Sequence, residues 1–211
     1  LASFFRAFRD TLSSAVLPRT GNPRIVILTP GPFNETYFEH SYLARYLAFT
    51  LVQGSDLTVR ENRVFLKTLE GLQPVDVILR RLDDSFCDPL ELRGDSFLGV
   101  AGLVEAVKAG NVVVANALGS GLVETASIMP FLPGLCARFL GEALRLPSVA
   151  TWWCGQDDAQ RYVVDHLDQI VVKPAFPSLG MEPVFGRELT SDQRSKLVER
   201  IRLRPHGFVG Q

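Results

Sequence analysis

The chain has 211 residues, 46% of them hydrophobic and 21% charged, with a formal net charge of -1 at pH 7. That length allows one large domain or two small ones around a sizeable core. Near-neutral, interspersed charge gives no electrostatic footprint for a nucleic acid or an anionic membrane, and no apolar run is long enough to span a bilayer.

In chain order, Phe4, Phe5, Phe8, Leu12 and Val16 recur at helical spacing and predict an amphipathic first helix. Arg6, Arg9 and Asp10 interrupt these apolar residues, so the stretch does not read as a signal peptide. Ile25-Val-Ile-Leu28 is a buried-strand candidate that ends in the loop Thr29-Pro-Gly-Pro-Phe-Asn34. Residues 37–48 have helical periodicity. Leu57–Arg60 and Val64–Lys67 flank Glu61-Asn62-Arg63 and predict a hairpin. Val75–Leu79 reads as a strand, Val100–Ala109 as a helix stopped by Gly110-Asn111, and Val112–Ala115 as another strand. Leu122–Leu140 is expected to be mostly helical, broken or kinked by Pro130 and Pro133. Strands alternate with helices to about residue 145, which predicts an α/β fold with a mostly parallel sheet covered on both faces.

Past Pro147 the texture changes, and we place a domain boundary there, giving units 1–148 and 149–211. Ala159–His166 predicts a helix and Ile170–Lys173 a strand, followed by a Pro- and Gly-rich stretch from 174 to 186. Thr190 with Gln193 has capping-box spacing for a helix running to about Leu203. Gly207–Gln211 reads as the start of a strand, so the chain is expected to be an excerpt of a longer protein. Cys87, Cys136 and Cys154 show no metal or redox spacing, and free thiols in a reducing cytoplasm are the simplest expectation.

Ligands of parallel sheets usually sit beyond the carboxyl ends of the strands. Three loops fall there. In the first, Asn34, Glu39 and His40 stand together; His40 and Glu39 suit acid–base work, or His40 is structural. In the second, Arg80 and Arg81 can clamp a carboxylate or phosphate, with Asp83 and Asp84 holding them or meeting an amine. The competing reading is a solvated, self-paired charge cluster. In the third, Asn116 and Ser120 lie in a strand-to-helix turn with Gly119 and Gly121, suited to an anion or to a plain helix cap. Farther on, Lys173 ends an apolar strand before a loop containing Gly180. It either projects charge into a phosphate site or is a surface lysine before a proline turn. No spacing of His, Cys, Asp or Glu argues for zinc.

Together, Ile27-Leu-Thr-Pro-Gly-Pro-Phe-Asn34, Tyr37-Phe-Glu-His40, Val75-Asp-Val-Ile-Leu-Arg-Arg81, Asp88-Pro-Leu-Glu-Leu92, Gly110-Asn-Val-Val-Val-Ala-Asn116 and Val171-Val-Lys-Pro174 resemble the circularly permuted ATP-grasp proteins of type 2, relatives of glutathionylspermidine synthase. The resemblance implies a Rossmann-like pre-ATP-grasp domain over 1–148 and the start of an ATP-grasp nucleotide lobe over 149–211. It also implies an ATP- and Mg2+-dependent ligation of a carboxylate to an amine through an acyl phosphate. Lys173 matches the family's nucleotide lysine, and Gly180 would lie in the phosphate loop. Arg80 and Arg81 are expected to be catalytic from their position and charge, and Asn34, Glu39, Asp83, Asp84, Asn116 and Ser120 to bind substrate. The implied partners are the two substrates and the remainder of the ATP-grasp domain. Two departures stand out. The family's upstream Leu-Glu-Asp-Asn segment, which resembles a metal-binding part, has no match here, and the loop after Lys173 carries a single glycine. The alternative is a non-catalytic scaffold that keeps the architecture.

Overall fold

The computed structural model describes residues 2–16, 21–176 and 181–211. They form a mixed α/β protein whose chain divides into two compact units, Leu1–Ser120 and Gly121–Gln211.

In the first unit, β1 (Ile25–Leu28), β2 (Thr50–Val52), β6 (Val77–Arg80) and β7 (Val113–Ala115) form one parallel sheet in the order β2-β1-β6-β7. The three strands expected to share a sheet therefore do so. β1 and β6 are buried along their whole length, as central strands covered on both faces must be. Alternation sorts their side chains. Ile25, Ile27, Val77 and Leu79 pack under α1 (Ala2–Ser14) and α2 (Tyr37–Leu47) through Leu12, Ala44 and Leu47. Val26, Leu28 and Ile78 face α3 (Leu103–Lys108) and a second, antiparallel sheet.

That second sheet joins β3 (Leu57–Arg60), β4 (Arg63–Thr68) and β5 (Gly71–Pro74). The hairpin turn is one residue tighter than Glu61-Asn62-Arg63. Arg60 pairs with Arg63, and Glu61 and Asn62 both take positive φ, at 50° and 56°. Two positive-φ residues give the turn whose twist matches the flanking strands. β2 and β5 lacked a readable pattern, because neither alternates cleanly in burial. α3 is shorter than its predicted span because Gly102, at φ 85°, opens it.

The second unit begins earlier than the change in texture at residue 148. Ala126 donates its amide to Ala175 O at 3.1 Å, which fastens the preceding segment to this unit. The helix expected over Leu122–Leu140 is three pieces: 3-10 turns at Ser120–Val123 and Ala126–Phe131, then α4 (Leu132–Leu140). Pro130 lies inside the second turn and Pro133 in the first turn of α4, where its missing N–H is harmless. β8 (Trp152–Trp153), β9 (Val171–Pro174), β10 (Val184–Phe185) and β11 (Phe208–Gly210) form an antiparallel sheet in the order β10-β9-β11-β8. α5 (Asp157–Asp165) and α6 (Ser191–Leu203) cover one face through Val163, Leu197 and Ile201 on Val172 and Phe208. The Thr190–Gln193 capping box is present at the start of α6. Among the described residues no helix is long and apolar enough to cross a membrane.

Candidate functional site

Because β1, β6 and β7 are parallel neighbours, the loops after them emerge at one end of the first sheet. The loop after β1 is organised by a hydrogen-bond chain whose donors and acceptors can be counted. Asn34 Oδ1 accepts from the Thr36 amide at 3.0 Å and from the Thr36 hydroxyl at 2.6 Å. With its proton committed, Thr36 Oγ1 must accept from His40 Nε2, 3.0 Å away. Neutral His40 then has an accepting Nδ1, which takes the proton of Thr29 Oγ1 at 2.9 Å, while that hydroxyl accepts from Gly31 N–H at 3.2 Å. His40 is buried at 2% exposure, and its pKa is lowered from the ordinary value of 6.5, first by burial and then by the Arg81 charge, with Glu39 opposing. The ring is a neutral structural hub, and Asn34 is part of the same chain. Glu39, in the first turn of α2, is exposed.

Arg80 is the buried member of the arginine pair. Its Nε donates to Asn116 O at 3.1 Å, and its two terminal nitrogens donate to Leu82 O at 2.5 Å and Ser120 Oγ at 3.0 Å. The guanidinium thereby pins the loops after β6 and β7 to each other. Arg81 is exposed, with its amide bonded to Leu28 O of β1. Asp83 is exposed, and Asp84 accepts from Gly119 N at 3.2 Å. Arg80 thus meets Asn116 and Ser120, and Asp84 meets the neighbouring Gly119. Asp88 was read only as part of a string, yet it is fully buried. It accepts from Leu90 N and Gly102 N on Oδ1 and from Val104 N on Oδ2, at 2.9 to 3.1 Å, and so caps α3 from outside.

Lys173 stands in β9 of the second unit, paired with Val209 of β11. Val172 packs among the helices, so alternation sends Lys173 to the opposite face. There it lines a pocket of about 400 Å3 with Glu124, Thr125, Ile128, Met129, Leu132 and Gln211. Its ammonium donates to Gln211 Oε1 at 2.8 Å, and among the described residues it makes no ion pair. Glu124 lines the same pocket without pairing with Lys173, and a cation free of an ion pair beside an apolar wall suits a phosphate-bearing ligand that also has an apolar part. Gly180 lies outside the described residues. Sequence reasoning missed Met129, Thr151 and Gln211. No local pattern marks them, because strand pairing and the turn at Ala126–Phe131 deliver them to Lys173.

Among the described residues no group of three or more His, Cys, Asp or Glu is placed to hold a divalent metal. Cys87 and Cys154 are buried free thiols, pushed up to about 11 by that burial, and are poor nucleophiles at neutral pH.

Over residues 1–211 the chain matches the family model described as circularly permuted ATP-grasp type 2. Among similar curated proteins, uncharacterized protein Rv2411c of Mycobacterium tuberculosis is 41% identical over 206 residues, covering 98% of this chain and 37% of the relative. Uncharacterized protein sll0335 of Synechocystis is 40% identical, covering 96% of this chain and 42% of the relative. Uncharacterized protein Rv2567 of Mycobacterium tuberculosis is 38% identical, covering 99% of this chain and 23% of the relative. The chain therefore spans less than half the length of each of these relatives.

Proposed function

Since the chain belongs to the circularly permuted ATP-grasp type 2 family, we propose that it is part of an ATP-dependent ligase that joins a carboxylate to an amine through an acyl phosphate. The observation that carries this reading is Lys173, a cation with no ion pair among the described residues, on the wall of a pocket with apolar lining. Lys173 would hold nucleotide phosphate, with Ile128, Met129 and Leu132 offering apolar surface to the rest of the ligand. Lysine suits this task as a compact point charge whose field strengthens when water is excluded. ATP would supply the phosphoryl group that activates the carboxylate, and an amine would then displace phosphate to give the amide. Magnesium is a family expectation; the described residues hold no group of three or more His, Cys, Asp or Glu for it, and no step is drawn through it.

In the first unit, Arg81 is the arginine available to an acid substrate. Its planar fork can take a carboxylate or phosphate in two parallel bonds. Exposed Asp83 and Glu39 are the acids open to an amine, while Arg80, Asn34, Asn116, Asp84 and Ser120 shape the loops that present them.

The test is hydroxylamine trapping in the full-length protein. With ATP and a panel of carboxylic acids, an acyl phosphate is intercepted as a hydroxamate while ADP and phosphate appear. We expect hydroxamate with at least one acid class and its loss in Lys173→Met. Bound ATP with no hydroxamate from any acid would favour the scaffold alternative.

A further inference from the structure

The contact that holds Lys173 is itself unusual for a cation. Gln211 sits opposite Val171, bonded through both backbone groups at 2.8 and 3.0 Å, so its side chain rises on the Lys173 face one diagonal step away. An ammonium can only donate, so the Gln211 oxygen must face it, as the 2.8 Å bond from Nζ to Oε1 requires. The amide nitrogen is then turned the other way. It donates to Thr151 Oγ1 at 3.0 Å and lies 3.4 Å from Met129 Sδ. The Thr151 hydroxyl donates in turn to Val149 O at 2.9 Å, and Thr151 is buried at 9% exposure. A flip of the amide would set donor against donor at Lys173 and acceptor against acceptor at Thr151 and Met129.

We propose that Gln211, anchored by Thr151 and Met129, is a positioning residue that fixes the Lys173 ammonium toward the pocket without itself adding a negative charge; this rests on the reading of Lys173 as the nucleotide lysine. A carboxylate at this place would orient the lysine equally well, but it would compete with phosphate for it. A neutral amide takes one of the three N–H donors and leaves two, with the full charge, for ligand oxygens. The inference also makes the turn Ala126–Phe131 part of the nucleotide pocket, since Met129 is carried on it and Ala126 ties it to the end of β9.

The experiment is a double-substitution cycle read by calorimetry with ATP on the full-length protein, with thermal melting as the check on folding. Gln211→Leu should weaken ATP binding about tenfold, the loss expected for one charge-assisted hydrogen bond. Lys173→Met should weaken it at least as much, and the double variant should bind no worse than Lys173→Met alone, because Gln211 acts only through the lysine. Gln211→Glu keeps the shape and the bond to Lys173, and the Thr151 hydroxyl can turn from Val149 O to donate to the second carboxylate oxygen, so the variant should stay folded with a melting temperature near the parent's yet also bind ATP more weakly. That split separates positioning from mere packing, and it carries the test if Gln211→Leu does not fold. Lys173→Met weakened with either Gln211 variant binding like the parent, or fully additive losses, would overturn the role of Gln211 alone. Parental ATP affinity in Lys173→Met would remove the nucleotide reading of the lysine and this proposal with it.

Discussion

Arg80 and Arg81 are adjacent, yet the structure gives them different environments. Arg80 donates to three acceptors in the loops it joins, while Arg81 is exposed. Replacing Arg80 by Met removes the guanidinium donors from two carbonyls and the Ser120 hydroxyl and should cost about 3 kcal/mol of stability. Arg81→Ala should stay within about 0.5 kcal/mol, as surface substitutions do. Urea unfolding of both variants measures the difference, and equal losses would contradict the assignment of Arg80 as the pin. The sequence marked the pair by charge and strand-end position. It could not sort buried from exposed, because Arg80 continues the buried pattern of β6 as its last residue. His40 offers a second test. Its folded pKa lies below the ordinary 6.5, so the unfolded chain binds the proton more readily. Its contribution is present above the ordinary value of 6.5 and is lost as pH falls through the lower folded value, so stability should rise with pH from the folded value up through 6.5. Substituting Gln at His40 should flatten that slope whatever it does to the absolute stability. An unchanged slope would mean that His40 titrates alike in both states, and a steeper one that it is charged in the fold. The sequence showed Thr36 and His40 one helical turn apart, but the partner Thr29 comes from the strand end, and only tertiary structure closes the chain.

At the scale of elements, apolar or alternating runs of four or more residues were the readable ones. Ile25–Leu28 and the hairpin strands carry their pattern in the residues themselves. Two-residue strands such as Trp152–Trp153 and Val184–Phe185 carry none, because their pairing is set by neighbours distant in sequence. α3 shows the same dependence. The helix is six residues long and opens at Gly102 without a side-chain cap of its own. Asp88 supplies it, receiving Gly102 N and Val104 N while bracing Leu90 N. Asp88→Asn exchanges one accepting oxygen for an N–H donor. That donor must then face either Val104 N–H or the pair from Leu90 and Gly102. We expect a loss of about 2 kcal/mol by denaturant titration, in the range for hydrogen bonds to a charged group. A loss below about 0.5 kcal/mol would mean that the helix holds without this anchor.

For the whole molecule, the alternation of strands and helices foretold the parallel sheet, and the Lys173 string pointed to the candidate nucleotide site. The second unit's extent was not legible. Pro130 and Pro133 hide the turn at Ala126–Phe131 inside what reads as a kinked helix, and its tie to Ala175 is a single long-range backbone bond. The central claim is that the second unit carries the nucleotide, through Lys173 and the wall supplied by that turn. The most direct measurement is amide hydrogen exchange of the full-length protein with and without ATP. A ligand that binds the native state slows the opening of the segments that hold it. The account predicts slowed exchange in β9, in β11 and across Ala126–Leu132. Slowing confined to the loops after β1 and β6, with β9 and β11 unchanged, would contradict it.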